Sequence, residues 1–302
     1  MAKRAATPQA IAFVTGAEIR TIDAEGVRDV LVERVPEGRP DAPCWSPDGA
    51  AIVFAWRPRG SIWLVSSVGG SSPQVLCGTQ GGGTCRNPKW SPRGDEIAVI
   101  ADREGMELPD ALLLVPITGG PVSTLYTAPA GYLLLDVAWS GDGSRLAISE
   151  YLPRNGGDRI RVIERETGAS TIVLSDLGAI SFLDWARTRD ELAFAVISRS
   201  GVSGVFTCEL PAPGTLHRAA PLQFCVSGSR PSYAPDDAQL VFQRVPPPHR
   251  HRSIHAVELV SGRERLITSK GMSPNWKREV IIQEEVPAGV GSGRGMLRVA
   301  SR

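Results

Sequence analysis

Short apolar runs alternate with polar, glycine-rich stretches along the whole chain, and almost no segment shows the 3.6-residue apolar spacing of a helix. Residues 61–66 (SIWLVS), 111–115 (ALLLV), 159–163 (RIRVI) and 253–257 (SIHAV) alternate in the manner of strands. Each is preceded by a second apolar run: 52–54, 97–99, 146–148 and 240–242. After three of them, at 118–120, 166–168 and 260–262, comes a turn rich in glycine, then a further strand at 122–125, 170–174 or 264–267. The pattern therefore predicts units of antiparallel strands joined by tight turns.

An aromatic motif sets the period of these units. Trp45-Ser46-Pro47-Asp48-Gly49 recurs as Trp90-Ser91-Pro92-Arg93-Gly94 and Trp139-Ser140-Gly141-Asp142-Gly143, then in altered form at Trp185, Tyr233 and Trp276. The intervals are 45, 49, 46, 48 and 43 residues, the length of a four-stranded propeller blade. Proline presets φ in the turn and Asp-Gly tolerates the positive φ of a tight hairpin, so each motif joins two strands of one blade. The aromatic is expected to pack between blades.

The predicted fold is all-β: a β-propeller of four-stranded antiparallel blades, six by this count, with seven as the alternative. Residues 11–14, 18–22 and 27–32 read as the second, third and fourth strands of a blade whose first strand is missing. Residues 273–276 supply that strand, so both termini latch the ring, and closure removes exposed sheet edges. The expected organisation is a leader at 1–8, the propeller at 9–277 and an extension at 278–302. In the extension, 280–285 and 296–300 resemble further strands, which is the case for a seventh, incomplete blade.

The repeats resemble those of TolB-type propellers, a repeat family also found in the propellers of tricorn-type and prolyl-oligopeptidase-type peptidases. The resemblance covers about residues 9–277 and implies a ring that begins at a second strand and is closed by a final aromatic motif. Those relatives carry an α/β domain beside the propeller, and only a short polar leader is expected here before Ile11, so no function transfers.

Lys and Arg total 33 against 32 Asp and Glu, a net charge of +1 that offers no field for nucleic acid. No apolar run approaches the ~20 residues of a membrane span, and with no apolar stretch behind Lys3 and Arg4 the chain reads as cytoplasmic. A removed signal peptide would leave no trace. The five cysteines match no CxxC motif. Cys77 and Cys85 flank the glycine-rich 78–84; a pair of reduced thiols is the favoured reading, with a disulfide as the alternative. The glycine-rich segment joins two strands, so it is not a phosphate-binding loop.

Function is expected on the face opposite the uniform hairpins, where the loops differ in length and chemistry. Aligned second strands put Trp56, Glu150 and Arg244 at one position and Arg57, Asp102 and Tyr151 at the next. With Arg103, Arg199, His249 and His251 from neighbouring loops, these are the candidate ligand-binding residues. His249, His251 and His255 recur in a proline-stiffened basic run but lack a carboxylate or thiol to complete a metal site, so neither metal nor cofactor is expected. The favoured function is a monomeric binding or scaffold propeller for a protein, peptide or small molecule. The alternative is a propeller enzyme of lyase, hydrolase or cyclase type, with Asp102, Glu150 and Tyr151 as candidate catalytic groups at the channel mouth.

Overall fold

The structure is a computed structural model that describes residues 10–57, 60–78, 83–102, 109–153, 158–175, 178–197, 203–211, 221–244 and 251–278. These residues form 24 strands in six four-stranded sheets, with no helix among them. The first blade holds β1 (Ile11–Thr15), β2 (Glu18–Ile22) and β3 (Asp29–Arg34), and the second β4 (Arg39–Trp45), β5 (Ala51–Arg57), β6 (Ser61–Ser66) and β7 (Gln74–Cys77). The third is built from β8 (Cys85–Trp90), β9 (Glu96–Asp102), β10 (Pro109–Pro116) and β11 (Ser123–Thr127). The fourth takes β12 (Leu133–Trp139), β13 (Arg145–Tyr151), β14 (Arg159–Glu164) and β15 (Ser170–Ser175). The fifth has β16 (Ala179–Trp185), β17 (Glu191–Ile197), β18 (Ser203–Glu209) and β19 (Gln223–Ser227). The sixth has β20 (Ser229–Tyr233), β21 (Gln239–Arg244), β22 (Ser253–Glu258) and β23 (Glu264–Thr268). The last strand, β24 (Met272–Trp276), returns to the first blade and pairs antiparallel with β1, Ile11 opposite Trp276.

The ring is thus six-bladed, not seven, and latched by both ends of the repeat array. Residues 280–285 and 296–300, read above as further strands, lie outside the described residues, as does the leader.

The hairpin motif has a local hydrogen-bond logic. In the second blade the Ser46 hydroxyl donates to Asp48 Oδ1 (2.6 Å), the Ala50 N–H donates to that oxygen (3.0 Å), and the Ala51 N–H donates to Ser46 Oγ (2.9 Å). The fourth blade repeats the set with Ser140, Asp142, Ser144 and Arg145. Gly49 and Gly143, at φ 72° and 71°, take the left-handed turn position that a side chain would strain. Burial opposes ionisation of Asp142, but the Ser140 and Ser144 donors win and hold its carboxyl down at about 2.

The first strand of each blade lines the central channel, and the aromatic at its end is buried between blades. Trp139 packs with Ala98, Ile100 and Leu112 of the third blade and Leu146 and Ile148 of its own. In four of the repeats the residue before the aromatic ties neighbouring blades. Asp184 accepts the N–H of Tyr233 (2.7 Å), Ser232 that of Trp276 (3.0 Å), Asn275 that of Trp45 (3.1 Å), and the Cys44 sulfur that of Trp90 (3.4 Å). These bonds satisfy buried amides that no sheet ladder reaches.

Candidate functional site

The channel wall is shaped by a repeated break in its strands. In β4 the pairing jumps from Asp41↔Ala55 to Cys44↔Val53, leaving Ala42 and Pro43 as a bulge; β8, β16 and β20 break at the same place. The bulged residues Ala42, Asn87, Phe182, Arg230 and Ser273 take φ of 48° to 58°, the left-handed region that side chains rarely adopt. A bulge re-aims side chains, here toward the axis. All six first strands contribute to one cavity of about 30 Å³, whose wall includes Asn87, Lys89, Asp136, Phe182, Arg230, Ser273 and Asn275. By the measure in which a water needs ~10–15 Å³, that is room for about two waters.

Charged side chains cross this lumen at successive levels. Arg230 stacks 4.3 Å over the Phe182 ring and pairs with Asp41 at 3.3 Å, and the Ser273 hydroxyl donates to that carboxylate at 2.6 Å. Lys89 reaches across to the Leu183 carbonyl at 3.3 Å. Asp136 accepts the N–H groups of Val137 and Leu183, both at 2.9 Å. Burial pushes its carboxyl up, with the Lys89 charge opposing. Toward the hairpin end, Arg278 spans the ring to the Trp139 carbonyl at 3.4 Å, and burial with repulsion from Arg187 brings its guanidinium down to about 10. Asp184 is equally buried, yet Arg187, Lys89 and Arg278 keep its carboxyl below the ordinary value against that burial. The lumen therefore holds a cation-rich, mutually compensated column.

The sequence-predicted residues stand one strand further out. The Trp56 ring is buried, packs edge-on to Trp63 at 4.7 Å, and donates its indole N–H to the Glu37 carbonyl at 2.6 Å. Asp102 is held by Arg86 (2.8 Å) and Thr84 Oγ1 (2.7 Å). Glu150 is fully buried and joins two blades: it accepts from Tyr126 OH at 2.6 Å, from Arg161 at 3.3 Å and from Arg159. Burial and the Glu150 bond push the Tyr126 phenol up to about 12. Tyr151 is half-buried opposite Leu133 at the end of β13. Arg244 pairs with Glu264 at 2.7 Å on the surface, and His251 is exposed. Arg57 is placed through its backbone, opposite Arg39. Arg103, Arg199 and His249 lie outside the described residues. Trp56, Asp102, Glu150 and Arg244 thus belong to four different blades, each held by partners in or beside its own blade. Among the described residues no three His, Cys, Asp or Glu side chains converge as metal ligands.

Comparison with solved structures places this architecture. TolB from Acinetobacter baumannii matches at a TM-score of 0.72 and 14% identity, over 91% of this chain and 68% of that one. The fold is TolB-like. A putative TolB from Agrobacterium tumefaciens gives a TM-score of 0.69 at 18% identity, over 88% and 92% of the two chains. By sequence, a 125-residue stretch is 34% identical to an uncharacterized protein of Agrobacterium fabrum, taking in 39% of this chain and 42% of that one. The match thus spans less than half the length of this curated relative. No family model matches the chain. Among the described residues no helix is long and apolar enough to cross a membrane.

Two groups of residues in this TolB-like ring escaped the sequence reading. The wall residues Lys89, Arg230 and Ser273 sit just before the aromatics in strands marked by Pro88, Pro231 and Pro274, each two residues before a motif aromatic, while Asp136 stands in a strand without that mark. Proline inside an inner strand marks a bulge. The second group is Arg187 and Arg278, which replace the motif proline in the two most altered repeats, Trp185-Ala186-Arg187 and Trp276-Lys277-Arg278. Both guanidinium groups reach the same end of the channel.

Proposed function

We propose that the protein is a binding propeller that holds an acidic segment of a protein or peptide partner at its loop-bearing face, over the channel mouth. One observation carries this reading: the lumen is rich in cations yet has room for only about 30 Å³. With room in that cavity for about two waters, a larger ligand would rest on the face and send at most one polar group inward. Arg230 on the channel wall, with Arg244 and Arg252 on either side of the β21–β22 connection, supplies positive charge. A monomer and a cytoplasmic location remain expectations within this reading. The enzyme reading draws less support, because Asp102 and Glu150 already spend their oxygens on Arg86, Thr84, Tyr126, Arg159 and Arg161.

Fluorescence anisotropy with labelled acidic, neutral and basic peptides of equal length tests the proposal. Binding of the acidic probe, weakened by salt and by Arg230→Gln or Lys89→Gln but not by Arg93→Ala on the hairpin face, is expected. Equal binding of all three probes, or loss with Arg93→Ala alone, would overturn it.

A further inference from the structure

The pair of cysteines that the channel reading leaves unused has a geometry of its own. Cys77 closes β7, the outermost strand of the second blade, and Cys85 opens β8, the inner strand of the third. Their sulfurs approach to 3.2 Å. Both are buried, at 7% and 2% exposure, in one apolar cluster with Ile62, Val99 and Ala101. The strands on either side fix them: Cys77 pairs with Ile62, Cys85 with Ala101, and the Cys85 N–H donates to the Gly60 carbonyl at 2.7 Å. A disulfide needs its sulfurs at about 2.05 Å, so closing the bond brings them about 1 Å nearer.

We propose that Cys77 and Cys85 form a redox site whose oxidation to a disulfide clamps the crossing between the second and third blades beside the channel wall. The pair shares a hydrogen bond that favours thiolate at Cys77 and disfavours it at Cys85. Thiolate is the reactive form, and the step is the same whichever sulfur ionises first, since either can donate in this contact. With a peroxide as oxidant, the Cys77 thiolate takes one peroxide oxygen, the O–O bond breaks, and hydroxide leaves. The Cys85 thiol then displaces that oxygen as water and the S–S bond forms. Two thiols and one peroxide give one disulfide and two waters, the thiol protons ending in the waters.

The clamp has a structural reach. Thr84, next to Cys85, bonds Asp102 through its hydroxyl at 2.7 Å, and its carbonyl accepts the Asp102 N–H at 3.0 Å. Arg86, on the other side, donates to both Thr84 and Asp102. One and three residues further along β8 are Asn87 and Lys89, which line the lumen. Oxidation fixes the start of this wall strand.

The test treats the folded full chain with hydrogen peroxide, alkylates remaining thiols in denaturant, and maps the cysteines by mass spectrometry beside a thermal melt. The expected result is a Cys77–Cys85 cross-link with loss of two hydrogens and alkylated Cys44, Cys208 and Cys225. The melting temperature should rise by a few degrees, and dithiothreitol should reverse the rise. Cys77→Ala should abolish both the cross-link and the rise, and Cys225→Ala should change neither. Cys225 is the most exposed of the five. Oxidation at Cys225 ahead of the pair, or both Cys77 and Cys85 alkylated after peroxide, would overturn the proposal.

Discussion

Trp139 is 1% exposed between two blades and donates its indole N–H to the Lys89 carbonyl of the neighbouring blade at 3.0 Å. A buried tryptophan removes ~200 Å² from water, worth about 5 kcal/mol at roughly 25 cal/mol per Å² as an upper figure. Truncation also leaves a cavity, and measured Trp→Ala costs fall at about 3–5 kcal/mol. Trp139→Ala should therefore lower the melting temperature by roughly 6–10 °C, taking about 2 °C per kcal/mol in a chain of this length. A sharper comparison separates packing from hydrogen bonding. Trp185 is equally buried, but its indole N–H has no partner. Trp139→Phe loses volume and strands a carbonyl, whereas Trp185→Phe loses volume and removes an unpaired donor. The difference should be about 1 kcal/mol against Trp139→Phe. Urea unfolding with unchanged m-values measures it. If Trp185→Phe costs as much as Trp139→Phe, the Lys89 bond contributes nothing and the reasoning fails.

Two further outcomes follow from closure and from the hairpins. Deleting the chain from Ser273 onward removes β24, exposes the edge of β1, and takes away the Asn275 acceptor for Trp45 N–H, so cooperative unfolding by circular dichroism should be lost or shifted sharply downward. A truncated chain melting like its parent would refute the latch. Asp142, held at about 2 when folded against an ordinary value near 3.8, contributes stability that is complete above about pH 5 and lost as the pH falls through about 2. Its side chain lies at the surface, so the contribution is about 1 kcal/mol once solvent screening is allowed for. The stability gap between parent and Asp142→Ala should close over that window and stay constant from about pH 5 to 7.

The blade period and the latch were legible because each is written in local chemistry. Ser46, Asp48 and Gly49 must satisfy one another within a few residues, so the first three copies of the turn keep the serine and the glycine and two of them the aspartate, and the orphan strand at 11–14 announces its partner near Trp276. The channel is a different kind of object. Its wall is made where six strands approach an axis, and what a position there needs is set by the facing blades, not by its own turn. Positions equivalent to Arg230 are Ala42, Asn87, Asp136, Phe182 and Ser273, which share no side-chain chemistry. What they share is backbone: a bulge that four of the six strands mark with proline and five with a positive φ.

The same logic bears on the candidates taken from the aligned second strands. Reading second strands in alignment assumes that equivalent positions converge, but a propeller radiates outward, and only its first strands meet. One strand out, Trp56 and Glu150 face their own neighbours: the tryptophan fills a gap against Trp63, and the glutamate is answered by Tyr126 across a blade boundary and by Arg159 and Arg161 within its own sheet. A buried charge survives only with such partners. Glu150, an acidic residue near the end of a second strand, therefore ties the third blade to the fourth. The side chains that meet around the axis are those the bulges turn inward.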